Sequence, residues 1–275
     1  MPKKEKKWTF RNYKSKVMES KGVFAVYVLL RVIVVAAMVI SCIRGNYENL
    51  FYCGLALFLF VLPAAFEKNF GIDIPGALEV VVLLFIFASV VLGEMGSYYT
   101  KFPMWDTILH TMNGFLCAAV GFGLVEILNR TKKESFDLSP VFLALVAFCF
   151  SMTIGVLWEF FEFGMDVIGG KDMQKDMVVQ NIVSTYLSGN TKEPVVIENI
   201  KDVMVNGVSL DVDGYLDIGL LDTMKDLLVN FAGAVVFSII GFFYVKSNGA
   251  GKFARLFIPK AIRKEETDDE TDGKA

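Results

Sequence analysis

Blocks of apolar residues long enough to cross a bilayer as helices punctuate the chain, and no other feature narrows its fold as much. They run over about Val23–Ile43, Leu50–Ala65, Ile74–Leu92, Thr107–Leu128, Pro140–Phe163 and Leu227–Val245. A hydrocarbon core about 30 Å thick asks for ~20 apolar residues per helix, and most of the blocks reach that. The second is the shortest. Lipid offers the backbone no hydrogen-bond partners, so such segments must be helical. The expected fold is an all-α integral membrane protein of about six transmembrane helices. Hydrophobic residues make up 54% of the chain, and their gathering into blocks excludes an ordinary soluble domain. A net charge of −3 argues against a nucleic-acid partner.

Positive charge orients the spans. Lys3, Lys4, Lys6, Lys7, Arg11, Lys14, Lys16 and Lys21 precede the first, and Lys246, Lys252, Arg255, Lys260, Arg263 and Lys264 follow the last. Arg130, Lys132 and Lys133 lie between spans four and five. Both termini are therefore expected in the cytoplasm. The organisation read from this is a basic cytoplasmic N-terminus (1–22), spans one to five (23–166), an extracytoplasmic insert (167–221), span six (222–246) and a cytoplasmic tail (247–275) with an acidic, solvated end. Within the insert, Val203 to Leu210 alternates around Asn206-Gly207, the signature of a β-hairpin closed by a type I′ turn. Asp211-Val212-Asp213-Gly214 lacks the remaining ligands of a calcium loop and reads as a turn.

The four cysteines, Cys42, Cys53, Cys117 and Cys149, all fall inside apolar blocks and form no CxxC pair. They read as small buried hydrophobes, not as disulfides or a zinc site.

Three spans carry one polar stripe each. Span four opens with Asp106, His110 and Asn113; span five closes with Glu159, Glu162 and Asp166; span six opens with Asp222, Asp226 and Asn230. Spacings of three and four put each set on one helix face. Gly114 and Gly233 follow two of the stripes, where small residues let helices approach closely. Under the expected topology all three stripes reach into the outer part of the membrane, where ionisable groups must face inward, pair or bind something. Glu94 closes span three on the same side, while Glu79 and Glu126 lie toward the other. Glu126 is about 24 Å of helix from His110 and is expected to pair with Arg130. Trp105 and Trp158 read as interfacial anchors.

Converging carboxylates around one imidazole either share protons or are compensated by a cation. One reading is a metal-dependent enzyme acting on a lipid or envelope substrate, with a divalent ion as its cofactor. Asp106, His110, Glu159, Glu162 and Asp226 would be the metal ligands. His110, Glu159 and Glu162 would be the catalytic groups, and Asn113, Asp166, Asp222 and Asn230 would flank them. A second reading is a proton- or cation-coupled transporter, although the spans lack matched halves with broken helices. A third is a non-catalytic scaffold. The single histidine excludes enzymes that need several, and no Walker motif, GxSxG elbow or CDP-alcohol phosphotransferase spacing is present.

Trp105-Asp106-Thr107-Ile108-Leu109-His110, Trp158-Glu159-Phe160-Phe161-Glu162-Phe163, and Asp222-Thr223-Met224-Lys225-Asp226 with Asn230-Phe231-Ala232-Gly233-Ala234 resemble the YjdF-like bacterial inner-membrane proteins. A wider likeness is to VanZ-like membrane proteins, from which the long insert and additional acidic residues depart. The resemblance implies a bacterial cytoplasmic membrane and an envelope-facing site, and supplies no reaction.

Overall fold

The computed structural model describes residues 21–131, 138–189 and 192–261. The basic segment before Lys21, Lys132 and Lys133, the acidic end of the chain and the Glu126–Arg130 side-chain pair lie outside what is described.

The helices in chain order are α1 (Lys21–Ile43), α2 (Tyr47–Leu59), α3 (Leu62–Phe70), α4 (Gly76–Ile86), α5 (Tyr98–Lys101), α6 (Trp105–Thr131), α7 (Pro140–Gly169) and α8 (Leu220–Lys246). A π-helical stretch, Phe87–Met95, extends α4 and closes with Gly96 N–H donating to the Val91 carbonyl at 3.0 Å. Six segments are long and apolar enough to cross a membrane, with α2 and α3 together making the second. That span is longer than its apolar block. The Asn46 side chain caps α2 by accepting from Asn49 N–H, and Pro63 sits in the first turn of α3.

The break between α2 and α3 exposes backbone carbonyls in the middle of a span. Arg31 of α1 answers it. One guanidinium nitrogen donates to the Phe60 carbonyl at 2.9 Å and the other to the Tyr27 carbonyl at 3.2 Å. The guanidinium also stacks 3.3 Å from the Tyr27 ring centroid.

The spans pack as two groups. Leu30, Val34, Cys53, Phe60, Leu83 and Val90 form the core shared by α1, α2 and α4 with its π-helical extension. Ala118, Phe122, Leu143, Ala147, Ala234 and Phe237 form the core of α6, α7 and α8. Ile72, Leu78, Leu116 and Ile127 join the two groups. Cys53 is buried as expected, but Cys42 and Cys149 are exposed on the apolar outer surface. They are small apolar residues on lipid-facing helix sides, where periodicity cannot separate them from core positions.

The start of α6, the end of α7 and the start of α8 lie at one end of the bundle, with the insert between α7 and α8. The insert is built of short antiparallel pairs: β2 (Val178–Val179) with β7 (Tyr215–Leu216), β3 (Ile182–Ser184) with β4 (Val195–Ile197), and β5 (Met204–Val205) with β6 (Val208–Ser209). The last is the hairpin expected from sequence, with Asn206 at φ 53° and Gly207 at φ 80° as a type I′ turn demands. At the other end β1 (Ile72–Asp73) pairs with β8 (Lys260–Ala261), so the segment after α8 folds back under the bundle. Its Ile258 is fully buried.

Candidate functional site

Three helices bring the polar stripes together because glycines let their backbones touch. A Cβ on Gly114 would collide with the Asn230 carbonyl, and one on Gly233 with the Thr111 carbonyl. Gly155 of α7 leaves room for the Asn230 side chain, whose amide nitrogen would sit 2.6 Å from an added Cβ. At this crossing Asn113 donates to Asn230 through its side-chain amide at 3.0 Å. Ser151 Oγ donates to the Gly114 carbonyl at 2.7 Å.

One turn nearer the insert lies the ionisable cluster, with His110, Glu159, Glu162, Asp222 and Asp226 all buried. His110 is central. Its Nε2 is 3.4 Å from Asp106 Oδ1 and 4.0 Å from Asp226 Oδ2, and its Nδ1 is 3.8 Å from Glu159 Oε1. Two sets of donor atoms therefore share this imidazole, each within 4.8 Å: Asp106, His110 and Asp226, and His110, Glu159 and Glu162. Each set could hold a metal ion. Glu159 is 4% exposed, and its Oε2 has no hydrogen-bond partner. A buried carboxylate oxygen left without a donor is costly unless something else meets it.

The nine candidate residues separate by what their side chains do. Asp106, His110, Glu159, Glu162 and Asp226 form the two donor sets. Asn113 and Asn230 satisfy each other below them. Asp166 is spent on the backbone, accepting from Met173 and Gln174 N–H at 2.6 and 2.9 Å. Asp222 accepts from Lys175 N–H at 3.0 Å. These two aspartates tie the beginning of the insert over the helix ends, and Gln174 donates to Thr223 Oγ1 at 2.5 Å in the same place.

Other residues at the site carry no signal in the helical pattern. Lys225 Nζ lies 3.4 Å from Asp222, 3.8 Å from Asp226 and 3.9 Å from Asp106. Trp158 does more than anchor, because its indole N–H donates to Glu162 Oε1 at 2.8 Å. Tyr99, between the third and fourth spans, packs its ring on Gly93. Burial, and then the carboxylates of Glu94, Asp106, Glu162 and Asp226, push its phenol above the ordinary range. Glu94 itself faces Tyr52. An apolar cavity of about 200 Å³ lies apart from this cluster, lined by Leu62, Pro63, Ile72, Leu78, Val82 and Val120 among others.

The family described as "Predicted membrane protein (DUF2238)" matches residues 26–247, which takes in most of the first span, the other five spans and the insert. The chain belongs to the DUF2238 family. The YjdF-like proteins that its motifs resemble fall within this group. As a DUF2238 member it is a polytopic membrane protein. An uncharacterised protein of Thermotoga maritima is 32% identical over 106 residues, 38% of this chain. This member spans about half (53%) of the length of that curated relative. No solved structure matches.

Proposed function

We propose that this protein holds a divalent cation in the cluster around His110 and uses it on a lipid or envelope substrate. The observation that carries this is the pair of donor sets sharing one imidazole, with a buried, unpartnered oxygen on Glu159 in one of them. Carboxylates and a single imidazole suit a hard or borderline ion such as Mn²⁺ or Zn²⁺. Bound there, such an ion would supply Lewis-acid polarisation of a phosphoryl or carbonyl oxygen. His110, Glu159 and Glu162 are the groups placed to ligate it or to move a proton beside it, and the Trp158 N–H fixes the orientation of Glu162. With both termini in the cytoplasm, the insert and the cluster face the envelope of a bacterial cytoplasmic membrane, with 1–22 and 247–275 inside.

The test is metal analysis of the detergent-purified protein, wild type beside His110→Ala, after loading with Mn²⁺ or Zn²⁺. Stoichiometric metal that is lost in the variant is expected. Absence of metal from folded wild type would overturn the proposal and favour the coupled-transporter reading, in which buried carboxylates without counter-ions carry protons. Orientation is tested separately. The Asn206→Cys substitution, in a background free of the native cysteines, should react with an impermeant maleimide added to intact cells, and labelling only after lysis would reverse the orientation.

A further inference from the structure

We infer that the cluster divides at the His110 ring into two unequal halves: an inner half of His110 Nδ1, Glu159 and Glu162 that takes the divalent cation, and an outer half of Asp106, Asp222 and Asp226 whose resident cation is the Lys225 ammonium. The inference rests on the metal-binding proposal and decides which donor set the metal uses.

The geometry of the two aspartates carries it. Asp106 turns Oδ1 to His110 Nε2 at 3.4 Å and Oδ2 to Lys225 Nζ at 3.9 Å. Asp226 does the same with its oxygens exchanged, Oδ2 to the imidazole at 4.0 Å and Oδ1 to the ammonium at 3.8 Å. Both carboxylates therefore bridge one cationic side chain and the ring. Asp222 completes the cage around Lys225 at 3.4 Å. A metal ion using Asp106 and Asp226 would have to expel this ammonium or share two carboxylates with it, and like charges that close repel strongly.

The inner half has no such occupant. Glu159 and Glu162 make no ion pair with a lysine or arginine among the described residues, and their one basic neighbour is His110. Glu159 Oε2 and Asp226 Oδ1 are both buried without a hydrogen bond, but Asp226 Oδ1 has the Lys225 ammonium at 3.8 Å, and Glu159 Oε2 has no lysine or arginine beside it among the described residues. The inner carboxylates thus lack the ammonium partner that the outer ones have.

The imidazole suits this division. Neutral imidazole has one lone pair and one N–H. A cation on Nδ1 leaves the proton on Nε2, aimed at Asp106 and Asp226. Ligating histidines commonly donate their second nitrogen to a carboxylate in this way, which fixes the tautomer and the ring. The Lys225 ammonium, 3.9 Å from Asp106 and 3.8 Å from Asp226, then keeps those two carboxylates out of the metal's own coordination.

The experiment titrates Mn²⁺ into the full-length protein in detergent and counts bound ions by electron paramagnetic resonance. Elution volume and thermal unfolding confirm that each variant is folded. Wild type should bind one ion. Glu159→Gln and Glu162→Gln should each weaken binding by more than about a hundredfold, and Asp226→Asn by about tenfold, the low end of the range for supporting residues. Lys225→Met should admit a second ion into the vacated outer half, with a spin-coupled spectrum. Loss in Asp226→Asn as deep as in Glu162→Gln, or a single ion in Lys225→Met, would overturn the division and leave the metal site standing. No ion in folded wild type would remove both.

Discussion

Asn113 on α6 and Asn230 on α8 hydrogen-bond to each other at 3.0 Å, at the level where Gly114 and Gly233 bring the two backbones into contact. Amide pairs inside a membrane bundle contribute about 0.6–2 kcal/mol. Asn230→Ala should cost an amount in that range. Gly114→Ala and Gly233→Ala should each cost about 1–3 kcal/mol, because an added methyl meets backbone and cannot be relieved by a rotamer change. Reversible unfolding of the detergent-solubilised protein measures both. Equal stability of Gly233→Ala and wild type would mean that α6 and α8 do not cross where the glycines put them.

Trp158 gives the proposed inner cation a reporter. Its indole N–H is bonded to Glu162 at 2.8 Å, so a paramagnetic ion held by Glu162 would sit beside the ring. Adding Mn²⁺ should quench tryptophan emission, and Trp158→Phe should remove most of that quenching. Quenching that survives in Trp158→Phe but disappears in Trp105→Phe would put the ion on the Asp106 side instead.

Asp217 governs how the insert joins α8. Its Oδ1 accepts from Met177 N–H at 2.7 Å and Gly219 N–H at 3.3 Å, and its Oδ2 accepts from Leu221 N–H at 2.6 Å. Burial alone would raise this carboxyl, but the backbone donors outweigh it and hold it below the ordinary range. A depressed folded pKa gives stability that is present above the unfolded value, about 3.9, and lost as pH falls through the folded value. Pepsin cleavage between Met177 and Leu221 should therefore accelerate below about pH 4 in wild type. Asp217→Asn should cleave faster at pH 4.5 and lack the part of the pH step that belongs to this group. An identical pH profile in the two proteins would show that the carboxylate does not hold the junction.

The helices and the convergence of the candidate residues were legible in the sequence for one physical reason. Polar groups are expensive in lipid, so Asp106, His110, Glu159, Glu162 and Asp226 stand out at helical spacing against apolar surroundings, and packing brings them around one imidazole. The same spacing cannot tell a ligand from a backbone anchor. Asp166 lies on the stripe of α7, yet its oxygens are taken by the Met173 and Gln174 N–H groups of a segment whose path the pattern does not encode. Lys225 falls between two stripe residues and acquires its place only when α6 brings Asp106 beside it. Arg31 carries no periodic signal, because it is a single charge in a long apolar run. Its reason is the helix break at Phe60, on a different span.

That break yields the last prediction. Among the described contacts, the Phe60 carbonyl receives the Arg31 guanidinium at 2.9 Å and the Tyr27 hydroxyl at 3.4 Å, so two side chains of α1 serve one acceptor. Arg31→Met removes the shorter bond and the stacking on Tyr27, and should destabilise by about 1–3 kcal/mol, the cost of leaving a buried acceptor without its donor. Arg31→Lys should fall between, since a lysine can reach one carbonyl but has no planar fork to hold two and stack as well. Tyr27→Phe alone should cost less, because the guanidinium remains. The double variant should cost more than the sum, since either side chain partly covers for the other. Strict additivity in thermal or denaturant unfolding would show that the two donors act independently, and that the α2–α3 break is satisfied by some other route.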